Sequence, residues 1–364
     1  MENLVTMSQP RHPVLDVRGR RVLVTGHTGF KGAWLTQWLL RAGAQVSGIA
    51  LPPETPDALY GRLALNGRVP ETLVDIRDAA GLARAVEAAR PDLVFHLAAQ
   101  ALVRRSYQRP LETWETNVTG TLNLLEAVRA LARPIVVVVV TTDKVYRNRE
   151  WEFAYREDDP LGGHDPYSAS KAACELAVDS WRASFGSPAG VTVVTARAGN
   201  VIGAGDVCED RIVPDCFRAW RKGEAVRLRN PGSTRPWQHV LEPLSGYVAL
   251  AAHAEQHRGA ITACNFGPDH EGDGTVAALV EALAALGENR RWSVAPAPAQ
   301  HEARALALCI DRARHVLGWS PRLTFREMLE WTNAGYTAPA AGLRELVDRQ
   351  IADFEARGAV FQPA

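Results

Sequence analysis

The chain has 364 residues, of which 46% are apolar and 23% charged, enough to bury one large core or two intimate ones. Its formal net charge is zero and its basic residues are scattered, which argues against a nucleic-acid partner. Apolar runs such as 135–140 are too short to cross a bilayer, and the first 20 residues carry charges and prolines instead of a signal-peptide core. The five cysteines (174, 208, 216, 264 and 309) are odd in number and contain no Cys-x-x-Cys, a usage that fits free thiols in a reducing cytoplasm.

Residues 1–19 read as a flexible lead-in. From residue 20 the pattern alternates strand, loop and helix. Strands are expected at 21–25, 45–51, 71–76, 92–99, 135–141 and 191–198. Helices are expected at 30–42, with Trp34, Leu35, Trp38 and Leu39 on one face, and at 79–89, 111–131 and 166–185. This β-α alternation predicts an α/β, Rossmann-like, doubly wound parallel sheet over 20–200. The nearly pure valine run 135–141 suits a strand covered on both faces. Beyond about residue 200, glycine, proline, arginine and tryptophan become frequent. Helices near 211–222, 240–257, 275–287 and 324–334 suggest a smaller C-terminal α/β substrate domain over 201–335, whose strands can interleave with the first. The tail 336–364 reads as helical, with an amphipathic helix over 340–358 that sets Leu343, Leu346, Val347, Ile351 and Phe354 at helical spacing.

Only four of the 41 basic residues are lysine: Lys31, Lys144, Lys171 and Lys222. Arginine stays charged, so lysine is the basic residue that can pass a proton. Three of the four fall inside motifs. Gly26-His-Thr-Gly29-Phe-Lys31-Gly32 follows a strand and opens a helix, where glycines admit a pyrophosphate and the helix N-terminus supplies amide donors. No acidic residue ends the second strand; Pro52 and Pro53 stand there with Glu54 next, so the usual clue to the cofactor's 2′-position is weak, and Asp75 and Ile76 after the third strand are candidates for the adenine. Tyr167 and Lys171 stand four apart on one helical face, an arrangement in which an ammonium favours a phenolate base. Thr141-Thr142-Asp143-Lys144 lies at the C-terminal end of the valine strand and adds an acid/base pair, which moving water requires and simple alcohol–ketone interconversion does not. Arg211, Arg229 and Arg235 suit a diphosphate and Asn200 a sugar or phosphate oxygen. His96 reads as a satisfied core histidine. His253 and His257 lack the His-Glu-x-x-His order, and no metal site is expected.

Together these segments resemble the extended short-chain dehydrogenase/reductase superfamily and, within it, the CDP-glucose 4,6-dehydratase family, over about 20–335. The generic parts are the glycine loop, His96-Leu97-Ala98-Ala99, Asn117 and Tyr167/Lys171. The narrower parts are Gly26–Gly32, Asp143-Lys144 with Arg149-Glu-Trp151, Gly162–Lys171, Arg197–Ile202 and Arg235–Tyr247. The resemblance implies a tightly held NAD contacted by Gly26, Thr28, Gly29, Phe30, Lys31, Gly32, Asp75, Ile76, Leu97, Ala98, Ala99, Asn117, Tyr167 and Lys171. It implies CDP-glucose as substrate, bound by Asn200, Arg211, Arg229 and Arg235. Tyr167 would be the C4 base, Thr142 a donor to the C4 oxygen, Lys144 the C5 base and Asp143 the acid for the 6-hydroxyl. It further implies a place in deoxysugar biosynthesis, of the kind that supplies lipopolysaccharide O-antigen, and a homodimer formed through the helices at 111–131 and 166–185.

One departure stands out. After Asp206 the chain reads Val207-Cys208 where the resemblance leads one to expect an aromatic, which bears on base or sugar preference. Thr142 and Val145 also stand where serine and cysteine are expected. The competing readings are a nucleotide-sugar 4-epimerase, a dehydratase for another nucleotide sugar, and a non-catalytic dinucleotide-binding regulator.

Overall fold

A computed structural model describes residues 13–269, 274–295 and 305–362. Its strands are β1 (Arg21–Thr25), β2 (Gln45–Ala50), β3 (Glu71–Leu73), β4 (Leu93–His96), β5 (Ile135–Val140), β6 (Val191–Ala198), β7 (Val201–Ile202), β8 (Val226–Leu228), β9 (Gln238–His239), β10 (Ala263–Phe266) and β11 (Trp292–Val294). Seven of them form one sheet in the order β10-β6-β5-β4-β1-β2-β3, with every pairing parallel. The fold is the expected Rossmann-like doubly wound α/β sheet.

Strand periodicity divides the interior in two. Val136, Val138 and Val140 of β5 point into one layer, with Trp34 and Trp38 of the helix Phe30–Arg41 and Leu244 and Tyr247 of the helix Leu241–Gln256. Ile135, Val137 and Val139 point into the other, with Leu124 and Val128 of Gly120–Ala130 and Val178 of Pro166–Trp181. All six β5 residues are buried, as a strand roofed on both faces requires.

Most boundaries fall within a few residues of expectation. The helix expected over 111–131 is interrupted: Pro110–Trp114 passes through a π-turn, Glu115–Thr119, into Gly120–Ala130. A wide turn of this kind has no sequence periodicity of its own and often marks functional ground. Short elements such as the helices Val103–Gln108 and Asp311–Leu317, and the two-stranded pairs β7–β9 and β8–β11, also escape periodicity analysis.

The chain beyond residue 200 is not continuous in space. Leu241–Gln256 and β10 return to the main sheet, while Ile202, Val213, Phe217, Trp237, Leu279, Leu283, Met328 and Leu329 build a separate core beside it. The lead-in requires correction. Residues 1–12 lie outside the described residues, but Leu15 and Val17 are buried, and Leu15 exchanges backbone hydrogen bonds with Val360 and Gln362. The tail forms the helix Leu343–Glu355, whose Leu343, Val347, Ile351 and Phe354 are fully buried, with Leu346 partly so. There the Phe354 ring meets Trp38 edge-on at 5.7 Å, and Trp38 Nε1 donates to Glu355 Oε1 at 2.8 Å. Among the described residues no helix is long and apolar enough to cross a membrane.

Because Phe354 fills the seam between this helix and Phe30–Arg41, Phe354→Ala is expected to destabilise the protein by about 3–5 kcal/mol. Urea denaturation measures it; a loss under ~1 kcal/mol would mean that the tail is peripheral to the core.

Candidate active site

The chain runs β1, β2, β3 outward on one side and resumes at β4 on the other side of β1, so the strand order reverses between β1 and β4. A crevice opens at such a reversal, outside the carboxyl ends of the strands. The turn after β1 enters it first. Gly26 has φ +74°, and a Cβ there would lie 2.7 Å from the Ala98 nitrogen; a Cβ on Gly32 would lie 2.1 Å from Gly26 O. Glycine is therefore required at both positions for the turn to close. Gly29 is the N-cap of Phe30–Arg41 and no side chain caps that end, which leaves a helix N-terminus facing the crevice. Thr28 Oγ1 donates to Leu51 O at 2.9 Å and closes the turn over β2.

Leu97, Ala98 and Ala99 form the opposite lip, pinned by Leu97 N to Thr25 O (3.1 Å) and Ala98 N to Thr25 Oγ1 (3.3 Å). His96 beneath them bonds Thr25 Oγ1 at 2.6 Å and Thr121 Oγ1 at 3.0 Å. Burial holds its pKa down to about 3, so it is a neutral structural histidine. Asp75 and Ile76 line the far end, where Arg77 grips the Asp75 carboxylate at 2.6–3.1 Å.

Asn117 does not line the cavity and needs correcting. It is fully buried in the π-turn, accepts from Gln100 N at 2.9 Å, and donates to Gln100 O at 3.1 Å and Ser170 Oγ at 2.9 Å. It braces the lip against the helix Pro166–Trp181, and both its amide hydrogens are used in doing so.

At the end of β5, Thr142 Oγ1 donates to Asp143 Oδ1 at 2.8 Å and accepts from Lys144 N at 3.4 Å. Asp143 is 1% exposed, and burial raises its pKa against the pull of Lys144, Thr142, Arg235 and Lys31. Across from it the helix Pro166–Trp181 starts with an Asp165 cap, whose carboxylate accepts from Ser168 N at 3.0 Å, and Pro166 at the first position. That start places Tyr167 and Lys171 on the cavity. Lys171 Nζ donates to Val140 O at 3.1 Å, and burial lowers its pKa. Burial also pushes the Tyr167 phenol up to about 12, with smaller opposing help from Thr142 and Arg211. Burial thus moves the phenol in the direction opposite to the lowering expected from a neighbouring ammonium. Lys31 joins this group: its Nζ donates to Tyr247 OH at 3.2 Å, and burial lowers its pKa to about 7. Tyr247, on Leu241–Gln256, ends the Arg235–Tyr247 segment, but the sequence assigns it no site role, because nothing along that nearly all-apolar helix marks which residue meets Lys31.

Asn200, Arg211, Arg229 and Arg235 line the second wall. Arg211 is paired with Asp206 at 3.0 Å and Arg229 faces Asp210 at 3.6 Å, while Arg235 Nη1 donates to Thr234 O at 2.7 Å. Val207 and Cys208 lie on the same wall. Lys222 follows the helix Ile212–Arg221 and is exposed. His253 and His257 approach to 4.6 Å between ring centroids, yet among the described residues no three metal-binding side chains gather.

The cavity measures ≈ 1890 Å³, well above the roughly 300–1,000 Å³ of a pocket for one small ligand. It has room for a dinucleotide along the glycine turn and a second extended ligand along the arginine wall. A doubly wound sheet, a glycine-rich first turn and a Tyr-x-x-x-Lys helix opening on one crevice define an enzyme of the extended short-chain dehydrogenase/reductase class. Within that class the chain belongs to the GDP-mannose 4,6 dehydratase family, whose model matches residues 23–332. It is 45% identical over 319 residues to CDP-glucose 4,6-dehydratase of Salmonella typhimurium, covering 86% of this chain and 89% of that one. Among solved structures, an epimerase of Methanothermobacter thermautotrophicus superposes with a TM-score of 0.76 at 26% identity, covering 92% and 95% of the two chains. UDP-glucose 4-epimerase of Thermus thermophilus, solved with NAD, gives 0.73 at 28%, covering 87% and 98%.

With the phenol raised to about 12 by burial, Tyr167 should stay protonated through neutral pH in the ligand-free protein. A difference titration at the tyrosinate band between the protein and Tyr167→Phe should therefore be flat up to about pH 10. A wave near neutrality would mean that the site lowers the phenol without help from ligand.

Proposed function

We propose that the protein is an NAD-dependent CDP-glucose 4,6-dehydratase, a hydro-lyase that forms CDP-4-keto-6-deoxyglucose without net redox change. The observation that carries this reading is the union of two proton-handling groups in one cavity: Tyr167 with Lys171, and Asp143 with Lys144. Oxidation at C4 needs one base, whereas removal of water across C5–C6 needs another base and an acid. The 45% identity to an enzyme bearing that name supports the choice of nucleotide.

The glycine turn fits a dinucleotide, since Gly26 and Gly32 leave no room for a Cβ and the uncapped helix N-terminus suits a pyrophosphate. When bound, NAD supplies a hydride acceptor and later donor, and its cationic ring favours a nearby phenolate. Tyr167 takes the proton of the 4-hydroxyl, and Lys171 on the same helical face supplies the ammonium that brings the phenol within reach of neutrality. Thr142 turns its hydroxyl hydrogen from Asp143 to the C4 oxygen, while Asp143 carries its own proton. Lys144 removes the C5 proton, which the adjacent ketone acidifies. Asp143, whose raised pKa helps it to carry a proton, delivers that proton to the departing 6-hydroxyl. Arg211, Arg229 and Arg235 hold the diphosphate and Asn200 a neighbouring oxygen.

The same reading assigns cofactor to the sheet lobe and nucleotide sugar to the smaller lobe. It includes a homodimer, supported by the exposed Leu111, Trp114, Leu176 and Phe185 near the two expected interface helices. The protein would work in the cytoplasm, in keeping with cysteines that form no disulfide among the described residues.

Incubation with CDP-glucose is expected to yield a product lighter by one water that absorbs in alkali as a 4-keto sugar. Tyr167→Phe should lose about 10²-fold or more in kcat, and Lys144→Met should stop loss of water more than C4 oxidation. Ketone formation only from dTDP- or GDP-sugars would overturn the substrate; C4 inversion without loss of water would make the protein an epimerase. Binding of NAD without turnover of any nucleotide sugar would make it a regulator.

A further inference from the structure

Glu175 takes no part in these proton transfers, yet its carboxylate is fully bonded. It stands one helical turn beyond Lys171 and is 4% exposed. Its Oε1 accepts from Thr141 Oγ1 at 2.5 Å and from Arg197 Nε at 3.0 Å. Its Oε2 accepts from Thr195 Oγ1 at 2.7 Å and from Arg197 Nη2 at 3.0 Å. Four donors fill the lone-pair sites of one carboxylate. Burial would raise its pKa, but the Arg197 fork and the two hydroxyls override burial and hold it below the usual carboxylate range. With neither a vacant lone pair nor any tendency to take a proton, Glu175 is not a base for the substrate.

The other end of the pair shows where the network leads. Arg197 Nη1 donates to Tyr146 OH at 3.0 Å and to Glu157 O at 2.8 Å, and Tyr146 OH donates to Asn265 Oδ1 at 2.6 Å. Thr141 and Tyr146 bracket residues 142–145, the turn that carries Thr142, Asp143 and Lys144. Consecutive residues at the strand end are also tied to consecutive turns of one helix, Val140 to Lys171 and Thr141 to Glu175.

We propose that the Glu175–Arg197 pair is a positioning clamp: it grips both ends of the acid–base turn and fixes that turn in register with Tyr167 and Lys171. The role of the turn rests on the proposed function, but the clamp itself does not. A buried pair of this kind is a poor way to gain stability alone, since its desolvation offsets much of its attraction. What it provides is geometry, to which proton transfer is sensitive at the scale of an ångström.

Thr141→Val and Tyr146→Phe each cut one tie and leave the ion pair intact; Thr141→Ser restores the hydroxyl. The first two are expected to lower kcat on CDP-glucose about tenfold with KM held within about twofold, and Thr141→Ser to recover most of the loss. In hydrogen exchange followed by mass spectrometry, peptides spanning 142–146 should lose protection in both variants while the rest of the sheet keeps its own. Unchanged exchange across 142–146 would overturn the clamp, as would a loss of activity that merely follows loss of folded protein. The exchange measurement needs no substrate, so a protein inactive on CDP-glucose would sink the functional reading and still leave the clamp decided.

Discussion

Every proposed reacting group lies on the carboxyl edge of a single parallel sheet, and that edge is the constraint from which the rest follows. A parallel sheet must bury both faces under its crossover helices. Ligands are then left the rim, and only where the strand order reverses does the rim open. Here the reversal falls between β1 and β4. The glycine turn after β1, the Leu97–Ala99 lip after β4 and the Thr142–Lys144 turn after β5 therefore face one another across a crevice. The helix Pro166–Trp181 supplies Tyr167 and Lys171 to the same crevice. No long-range steering is needed beyond the sheet itself.

Burial then does electrostatic work. The crevice holds Lys31 near 7, lowers Lys171, raises Asp143 and pushes Tyr167 to about 12, each chiefly by desolvation. Low dielectric drives each of these groups toward its neutral form. Side chains in that condition exchange protons readily once a ligand's charges arrive, whereas an arginine in their place would stay charged. The arginines sit where charge must persist: Arg197 is locked in the buried clamp, and Arg211, Arg229 and Arg235 line the second wall. A chain with 37 arginines and four lysines thus lines this one cavity with three of its lysines.

The second wall is where the family resemblance thins. Asp206 keeps a structural role, pairing with Arg211 while its backbone oxygen accepts from Tyr336 OH at 2.7 Å. The next residues, Val207 and Cys208, put an aliphatic and a thiol on the cavity where an aromatic is expected. Tyr247 is the converse case: it closes the Arg235–Tyr247 segment, 216 residues from Lys31, yet its hydroxyl accepts from the Lys31 ammonium.

Sequence alone determined what local chemistry dictates. The glycine turn, the Asp165–Pro166 helix start, the valine strand and the i, i+4 spacing of Tyr167 and Lys171 are written in neighbouring residues, because steric and capping rules act over a few positions. Tertiary structure decided whatever depends on partners far apart in the chain. It turned Asn117 from a ligand contact into a brace, returned Leu241–Phe266 to the main sheet and seated the tail helix on Trp38. It also paired Glu175 with Arg197 and buried Tyr167 deeply enough to raise its phenol. Those outcomes depend on solvent exclusion and on contacts between distant segments, neither of which has a period or a motif along the chain.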